Sequence, residues 1–238
     1  MAFIHGKGSA VYVGGHNLSA YFKSASPKAS ADTADVTCLG AAVKSYLAGL
    51  KDATLSLEGV FDGAADAVDE ELAAIFGSDD KVLSVYPGGE SAVGTVGYGM
   101  QATHTGYEVT AEVGGVVSCS AEFQSDVAIE RILSLHPLAA VAAPANGTTH
   151  NNSAATTDGG SAYLHITAWT GTDFTVSIRH STDNFAASDD ELVAFTQATA
   201  IGAERVAIAA GTTVRQYVRA VFSGTFTTVT CSVALWRR

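Results

Sequence analysis

Proline, cysteine and positive charge are scarce in this 238-residue sequence, which has 4 Pro, 3 Cys and 13 Lys+Arg against 24 Asp+Glu. The net charge of −11 argues against a protein that wraps nucleic acid, because wrapping needs Lys and Arg to neutralise phosphates. The widely spaced Cys38, Cys119 and Cys231 indicate free thiols in a reducing compartment, the last two within or near the core. No apolar run approaches the ~18 residues of a membrane span. The start, MAFIHGKGSA, lacks a signal-peptide core, so we expect an unprocessed cytosolic product.

Catalytic and metal-binding motifs are also missing. The sequence has no G-x-S-x-G elbow, P-loop or H-E-x-x-H. His165 and His180 lie on neighbouring predicted strands, but two ligands alone do not make a zinc site. The acid-rich stretch 181–191 offers oxygen ligands without the fixed spacing of a calcium loop. We therefore expect no enzyme, no metal and no cofactor.

The composition instead predicts β-sheet. Apolar residues make up 47% of the chain, and the 24 glycines favour tight turns between strands. The stretch DATLSLEGVFD (52–62) alternates, with Leu55 and Leu57 on one face and Glu58 on the other. One helix is predicted over about 66–77, with Asp66 as N-cap, an apolar stripe and Gly77 as its end.

Short strands account for the rest of the chain. Five are predicted at 82–86, 93–103, 106–113, 115–124 and 127–136, with turns at Gly88-Gly89, Thr105-Gly106 and Gly114-Gly115. Six more in the last 80 or so residues are typical of a small β-sandwich. The segment 141–160 is nearly uncharged and without periodicity, as linkers are.

Charge is unevenly distributed along the chain. Residues 1–145 hold 17 acids and 7 Lys/Arg, whereas 146–238 hold 7 acids and 6 Arg. This shift predicts a first domain at 1–145, a linker at 146–160 and a second domain at 161–238.

A short apolar cluster, Tyr46, Leu47 and Leu50, precedes the clearest strand. The segment from Lys44 begins like an amphipathic helix, and 49–52 reads as a turn. The three side chains either pack into their own core or form a surface that another subunit covers. The sequence leaves both possibilities open.

Several stretches, in the same order, resemble the major tail protein (tail tube protein) of long, non-contractile-tailed bacteriophages, the siphophages, especially those of actinobacteria. They are GKGSAVYVGGHNLSAYFKSAS, SADTADVTCLGAAVKSYLAGLKDATLSLEGVFD, ILSLHPLAAVAAPANG, VSIRHSTDNFAASDDELVAFTQ and GAERVAIAAGTTVRQYVRA. The resemblance implies a mainly β (α+β) fold: an N-terminal tail-tube β-sandwich or half-barrel with one helix, then a C-terminal immunoglobulin-like or jelly-roll-like β-sandwich.

The resemblance also implies a structural virion protein. Copies would form hexameric rings stacked into a tail tube, with tape measure protein and other tail proteins as partners. DNA would pass transiently without specific binding, and no membrane is involved. The protein would be assembled in the bacterial host cytoplasm and reside in the virion.

Three sets of residues follow as expectations. An inter-ring stacking loop over 33–52 would use Thr33, Asp35, Val36, Leu39, Lys44, Tyr46, Leu47, Leu50, Lys51 and Asp52. Acids facing the lumen, unless they serve only solubility, would be Glu58, Asp62, Glu108, Glu112 and Glu122. The alternative function is a phage decoration or receptor- or carbohydrate-binding protein, whose sugar-stacking aromatics would be Tyr163, Trp169, Tyr217 and Trp236.

Overall fold

The computed structural model describes residues 5–238 and is mainly β with one α-helix, which confirms the predicted fold class. The helix α1 spans Val68–Ala74, and a 3₁₀ turn spans Gly6–Gly8. The strands are β1 Ala10–Val13, β2 His16–Asn17, β3 Phe22–Asp35, β4 Tyr46–Val60, β5 Lys81–Tyr86, β6 Val96–Thr110, β7 Ser118–Ser125, β8 Glu130–Val141, β9 Ala145–Asn146, β10 His150–Asn151, β11 Gly160–Ser181, β12 Asp190–Ala194, β13 Gly202–Ile208 and β14 Tyr217–Arg237. Neither helical segment in this range is long and apolar enough to cross a bilayer.

The chain divides into two compact units, each built from separate stretches of sequence. Unit 1 comprises the chain up to Tyr21, Lys81–Gly99 and Glu130–Arg238, and unit 2 comprises Phe22–Asp80 and Met100–Ile129. These bounds differ from the division at 146–160, because the chain leaves unit 1 twice and returns to it. Whether 1–145 and 161–238 fold as separate domains stays a prediction.

Unit 1 is a large antiparallel sheet with the strand order β12-β11-β14-β8-β6-β5-β1-β2, to which β6 contributes Val96–Gly99. Its two longest strands, β11 and β14, pair with each other from Gly160↔Arg237 to Ser181↔Tyr217. The fully buried Phe174, Val176 and Ile178 alternate along β11 and contribute to the core.

The region after residue 160 has fewer and longer strands than predicted. Six short strands were expected after residue 160, but the structure has four, because β11 and β14 each run through a glycine. A side chain at Gly171 would clash with Phe226, since its Cβ would lie 2.6 Å from the Phe226 Cα. Gly224 has φ of 120°, a conformation that L side chains rarely adopt. The expected linker also carries β9 and β10, which both pair with β14.

Unit 2 is a sheet of order β3-β4-β7-β6, with β6 contributing its residues from Met100 onward. The predicted alternation in β4 is confirmed, since Leu55 and Leu57 are fully buried and Glu58 is exposed. The Tyr107 hydroxyl donates to Asp69 Oδ1 at 2.6 Å, which places α1 over the same buried face.

Two local expectations in unit 2 are wrong. Thr105-Gly106 is a bulge within β6 and not a hairpin turn. The helix has Ala67 and not Asp66 at its N-cap, because Asp66 adopts φ of 57° and its N–H donates to Glu70 Oε2.

A buried ion pair joins three strands of unit 1. Glu130, at the start of β8, is 4% exposed, and its Oε1 accepts from Arg205 Nη2 at 2.6 Å. Ser161 Oγ donates to the same oxygen at 3.1 Å, and the Tyr163 hydroxyl donates to the other. Burial, and then the Glu130 charge, raise the pKa of Tyr163 well above its usual value.

We expect Arg205→Met to destabilise the protein by about 3–5 kcal/mol, because it leaves the Glu130 carboxylate buried and unpaired. Urea unfolding measures this loss. The double variant Glu130→Gln/Arg205→Met should recover much of it, since no buried charge remains. Equal unfolding midpoints for wild type and Arg205→Met would contradict this role.

Candidate self-assembly surface

The most exposed feature of unit 2 is a two-stranded ribbon, residues 28–52, which we call the arm. It comprises the outer part of β3, the connection 36–45 and the first part of β4. Every residue from Lys28 to Asp52 is solvent-exposed, so no other part of residues 5–238 covers either face of the ribbon. The strands pair from Ala29↔Ala53 to Asp35↔Tyr46.

The arm concentrates large apolar side chains in water. Tyr46 is 55% exposed, Leu47 is 64% and Leu50 is 81%. Six of the twelve large exposed apolar side chains in residues 5–238 lie in the arm: Val36, Leu39, Val43, Tyr46, Leu47 and Leu50. Of the two possibilities left open by the sequence, the structure therefore excludes packing of this cluster into its own core.

The arm differs in form from the expected loop. Of the predicted stacking residues, Thr33 and Asp35 end β3, whereas Val36, Leu39 and Lys44 lie in the connection. The others, Tyr46, Leu47, Leu50, Lys51 and Asp52, lie on β4. The expected helical start at Lys44 and turn at 49–52 are wrong, because β4 begins at Tyr46 and continues through 49–52, with a register shift opposite Ala31/Thr33.

Polar contacts shape the end of the arm. The Asp35 carboxylate accepts hydrogen bonds from the hydroxyl and the backbone N–H of Thr37, and these bonds lower the pKa of Asp35. The Thr37 hydroxyl in turn accepts from Ser45 N at 2.9 Å, and Lys44 Nζ lies 4.0 Å from Asp35. A ribbon closed only by such surface contacts is marginally stable in water.

The face of unit 2 opposite its core is acidic. The register pairs Glu58 with Ser120 across β4 and β7, and Ser120 with Glu108 across β7 and β6. Directly paired residues share a face, so Glu58 and Glu108 project to the same side. Glu122 is also on this side because it pairs with Ser56, and all three glutamates are exposed. Ser56 Oγ donates to Glu122 at 2.6 Å.

The other two predicted lumen acids lie outside this face. Asp62 follows β4, where its Oδ1 accepts from Ala64 N at 3.0 Å. Glu112 is exposed in the connection between β6 and β7. The structure therefore brings together Glu58, Glu108 and Glu122 but not Asp62 and Glu112.

The four candidate sugar-stacking aromatics do not form one platform. Tyr163 is fully buried and hydrogen-bonded to Glu130, so its ring is not accessible. Trp169 packs on the unit 1 core. Trp236 and Tyr217 lie near opposite ends of the β11–β14 ladder, opposite Ser161 and Ser181.

The remaining polar candidates are satisfied within unit 1. His165 is buried between Gly14 O and Ser84 Oγ, 15 positions along β11 from His180. In the acid-rich stretch, Asp189 pairs with Arg179 and Arg219. Residues 5–238 contain no group of three or more His, Cys, Asp or Glu suited to a metal. All three cysteines are free, with Cys119 and Cys231 buried and Cys38 exposed in the arm.

One apolar feature was not predicted. Val109, Val113 and Val116 are exposed around the connection between β6 and β7. The signal for it is the sequence EVGGVV, in which valines flank the Gly114-Gly115 turn.

Comparison with known proteins gives matches among solved structures alone, since no family model and no curated protein matches the sequence. The chain is similar to a protein of the native gene transfer agent virion, with 21% identity and a TM-score of 0.43 over 54% of this chain and 98% of that one. It is similar to the tube-terminating cap of the anti-feeding prophage, with 17% identity and a TM-score of 0.42 over 55% of this chain and 93% of that one. The SPP1 Dit protein, a hub of the adsorption apparatus, has 9% identity and a TM-score of 0.38 over 96% of this chain and 98% of that one. These values do not establish a family.

Proposed function

We propose that this protein is a structural phage tail protein whose copies form hexameric rings that stack into a tube, with the arm of each ring contacting the next ring. The observation that carries the proposal is the arm itself, whose six large apolar side chains are exposed along a ribbon with two open faces. The hexameric rings and their stacking into a tube are what the sequence resemblance to siphophage tail tube proteins implies.

The arm has the chemistry of an interface anchor. Buried aromatic and aliphatic side chains supply most of the energy at protein interfaces. Each fully buried Leu contributes about 1.5–3 kcal/mol relative to exposure. Burial of Tyr46, Leu47 and Leu50 against a second copy would therefore stabilise a polymer in which the contact repeats.

Sheet edges offer a further contact. Within the described chain β3 pairs with β4 alone, so its other edge is open, and Pro27 in this strand suits an edge position. A neighbouring subunit can cover such an edge. Head-to-tail contacts of this kind close into a ring when the rotation permits.

The acidic face of unit 2 suits the wall of a DNA channel. Carboxylates repel phosphate, so a lumen lined by Glu58, Glu108 and Glu122 lets DNA slide through without adhering. In this arrangement the protein is a component of the virion, works beside a tape measure protein and other tail proteins, and needs no enzymatic activity.

We expect Leu47→Asp to remain folded and to block assembly. Leu47 is 64% exposed, so its replacement should change the free energy of unfolding by less than about 0.5 kcal/mol. At an interface, the same change places a charge among apolar groups and should raise the critical concentration for tubes at least about tenfold. Negative-stain electron microscopy and light scattering measure assembly, and urea unfolding measures the fold.

Ile201→Asp is the matched control, because Ile201 is 46% exposed and belongs to unit 1, not to the arm. This variant should still assemble. Tubes formed by Leu47→Asp at the wild-type concentration would exclude the arm as the stacking contact. If wild type forms no ring or tube at any concentration, alone or with a tail partner, the proposed function is wrong.

The lumen assignment predicts a change in DNA binding. Tubes of Glu58→Lys/Glu108→Lys should retain duplex DNA at low salt and release it as salt rises, because the reversed charges attract phosphates. Asp158→Lys/Glu191→Lys changes the net charge equally at two exposed acids of unit 1. Co-sedimentation with DNA compares the two variants, and equal retention by both would place the acidic face away from the DNA path.

A further inference from the structure

Unit 1 contains a small basic pocket that the proposed function does not use. Its volume is about 240 Å³, and its lining is Arg131, Leu133, His150, Asn151, Asn152, Ser153 and Arg237. It includes two of the seven arginines of a chain with net charge −11, but no acid. A site that gathers scarce cations without a carboxylate has the charge to accept an anion.

The register of the sheet brings the two arginines together. Leu235 of β14 pairs with Leu133 of β8, Arg237 and Arg131 each lie two residues beyond this pair, and both arginines line the pocket. Like charges brought close together on neighbouring strands are destabilising. An anion between the two guanidinium groups turns this repulsion into attraction, since guanidinium binds carboxylate or phosphate oxygens in a bidentate manner.

Arg237 is held in position by the chain. Its Nη1 donates to Ala154 O and its Nη2 to Asn152 O at 3.3 Å, so the side chain fixes the loop after β10. Neither Arg131 nor Arg237 forms an ion pair with any described residue; the described arginines that do so are Arg179, Arg205, Arg215 and Arg219.

The other polar groups of the pocket fit the same ligand. Asn152 Nδ2 is buried and has no hydrogen-bond partner within residues 5–238, so one donor remains available. Burial, and then the charge of the nearby Arg237, lower the pKa of His150. The volume corresponds to several water molecules at about 30 Å³ each, enough for a single oxyanion with its remaining water.

We propose that this pocket binds one oxyanionic group, a phosphate or a carboxylate, between Arg131 and Arg237, with Asn152 as an additional donor. The pocket therefore recognises an anionic ligand by direct charge-assisted hydrogen bonds. The proposal does not depend on tube assembly, because every residue of the pocket belongs to unit 1 of one chain.

Titration of the full-length protein with inorganic phosphate, with acetate and with chloride at equal ionic strength tests the proposal. NMR of arginine and histidine side chains follows binding site by site. We expect saturable shifts of Arg131, Arg237 and His150 with phosphate or acetate at a dissociation constant of about 1 mM or tighter, and none with chloride. Tighter phosphate binding would identify a phosphate ester as the natural group, and tighter acetate binding a carboxylate.

Arg131→Gln is the decisive variant, because no described hydrogen bond or ion pair depends on its guanidinium and the fold should persist. Loss of one charge-assisted bond should weaken binding about tenfold or more. Lys23→Gln in unit 2 removes an equally exposed charge and should leave binding unchanged. Unsaturable shifts in wild type, or equal affinity in wild type and Arg131→Gln, would overturn the proposal.

Discussion

A ribbon of two strands with water on both sides has no interior in which to bury its apolar side chains. Residues 28–52 are such a ribbon, and they carry Tyr46, Leu47 and Leu50. The chain leaves this apolar surface uncovered, so its free energy falls only when another surface covers it. Self-assembly is the consequence that we propose from this constraint.

The rest of unit 2 supports the arm and gives it direction. The arm continues without interruption into a sheet whose one face buries Leu55, Leu57 and Phe123. That anchored base fixes the position of the exposed strands, while the opposite face carries the carboxylates of Glu58, Glu108 and Glu122. One sheet therefore combines a buried apolar face, an exposed acidic face and an uncovered apolar extension, the arm. We propose that these features suit a ring-forming subunit with a polar channel.

The elements that the sequence pattern predicted correctly are those that depend on neighbouring residues. The alternation around Leu55 and Leu57 and the helix near Val68 follow from neighbouring residues, and both are present. Long-range pairing decided the remainder. Gly171, for example, allows two strands to approach closely within one ladder. The basic pocket was not predicted, because Arg131 and Arg237 meet through strand register over a separation of more than 100 positions.

Hydrogen exchange of the arm amides tests the central claim most directly. In dilute solution, where the protein is dispersed, the amides of residues 28–52 should exchange fast, because both faces of a marginal ribbon are open to water. In assembled tubes the same amides should become strongly protected, while the buried strand around Leu55 and Leu57 stays protected in both states. Arm amides that exchange equally fast in dispersed and assembled protein would contradict the account.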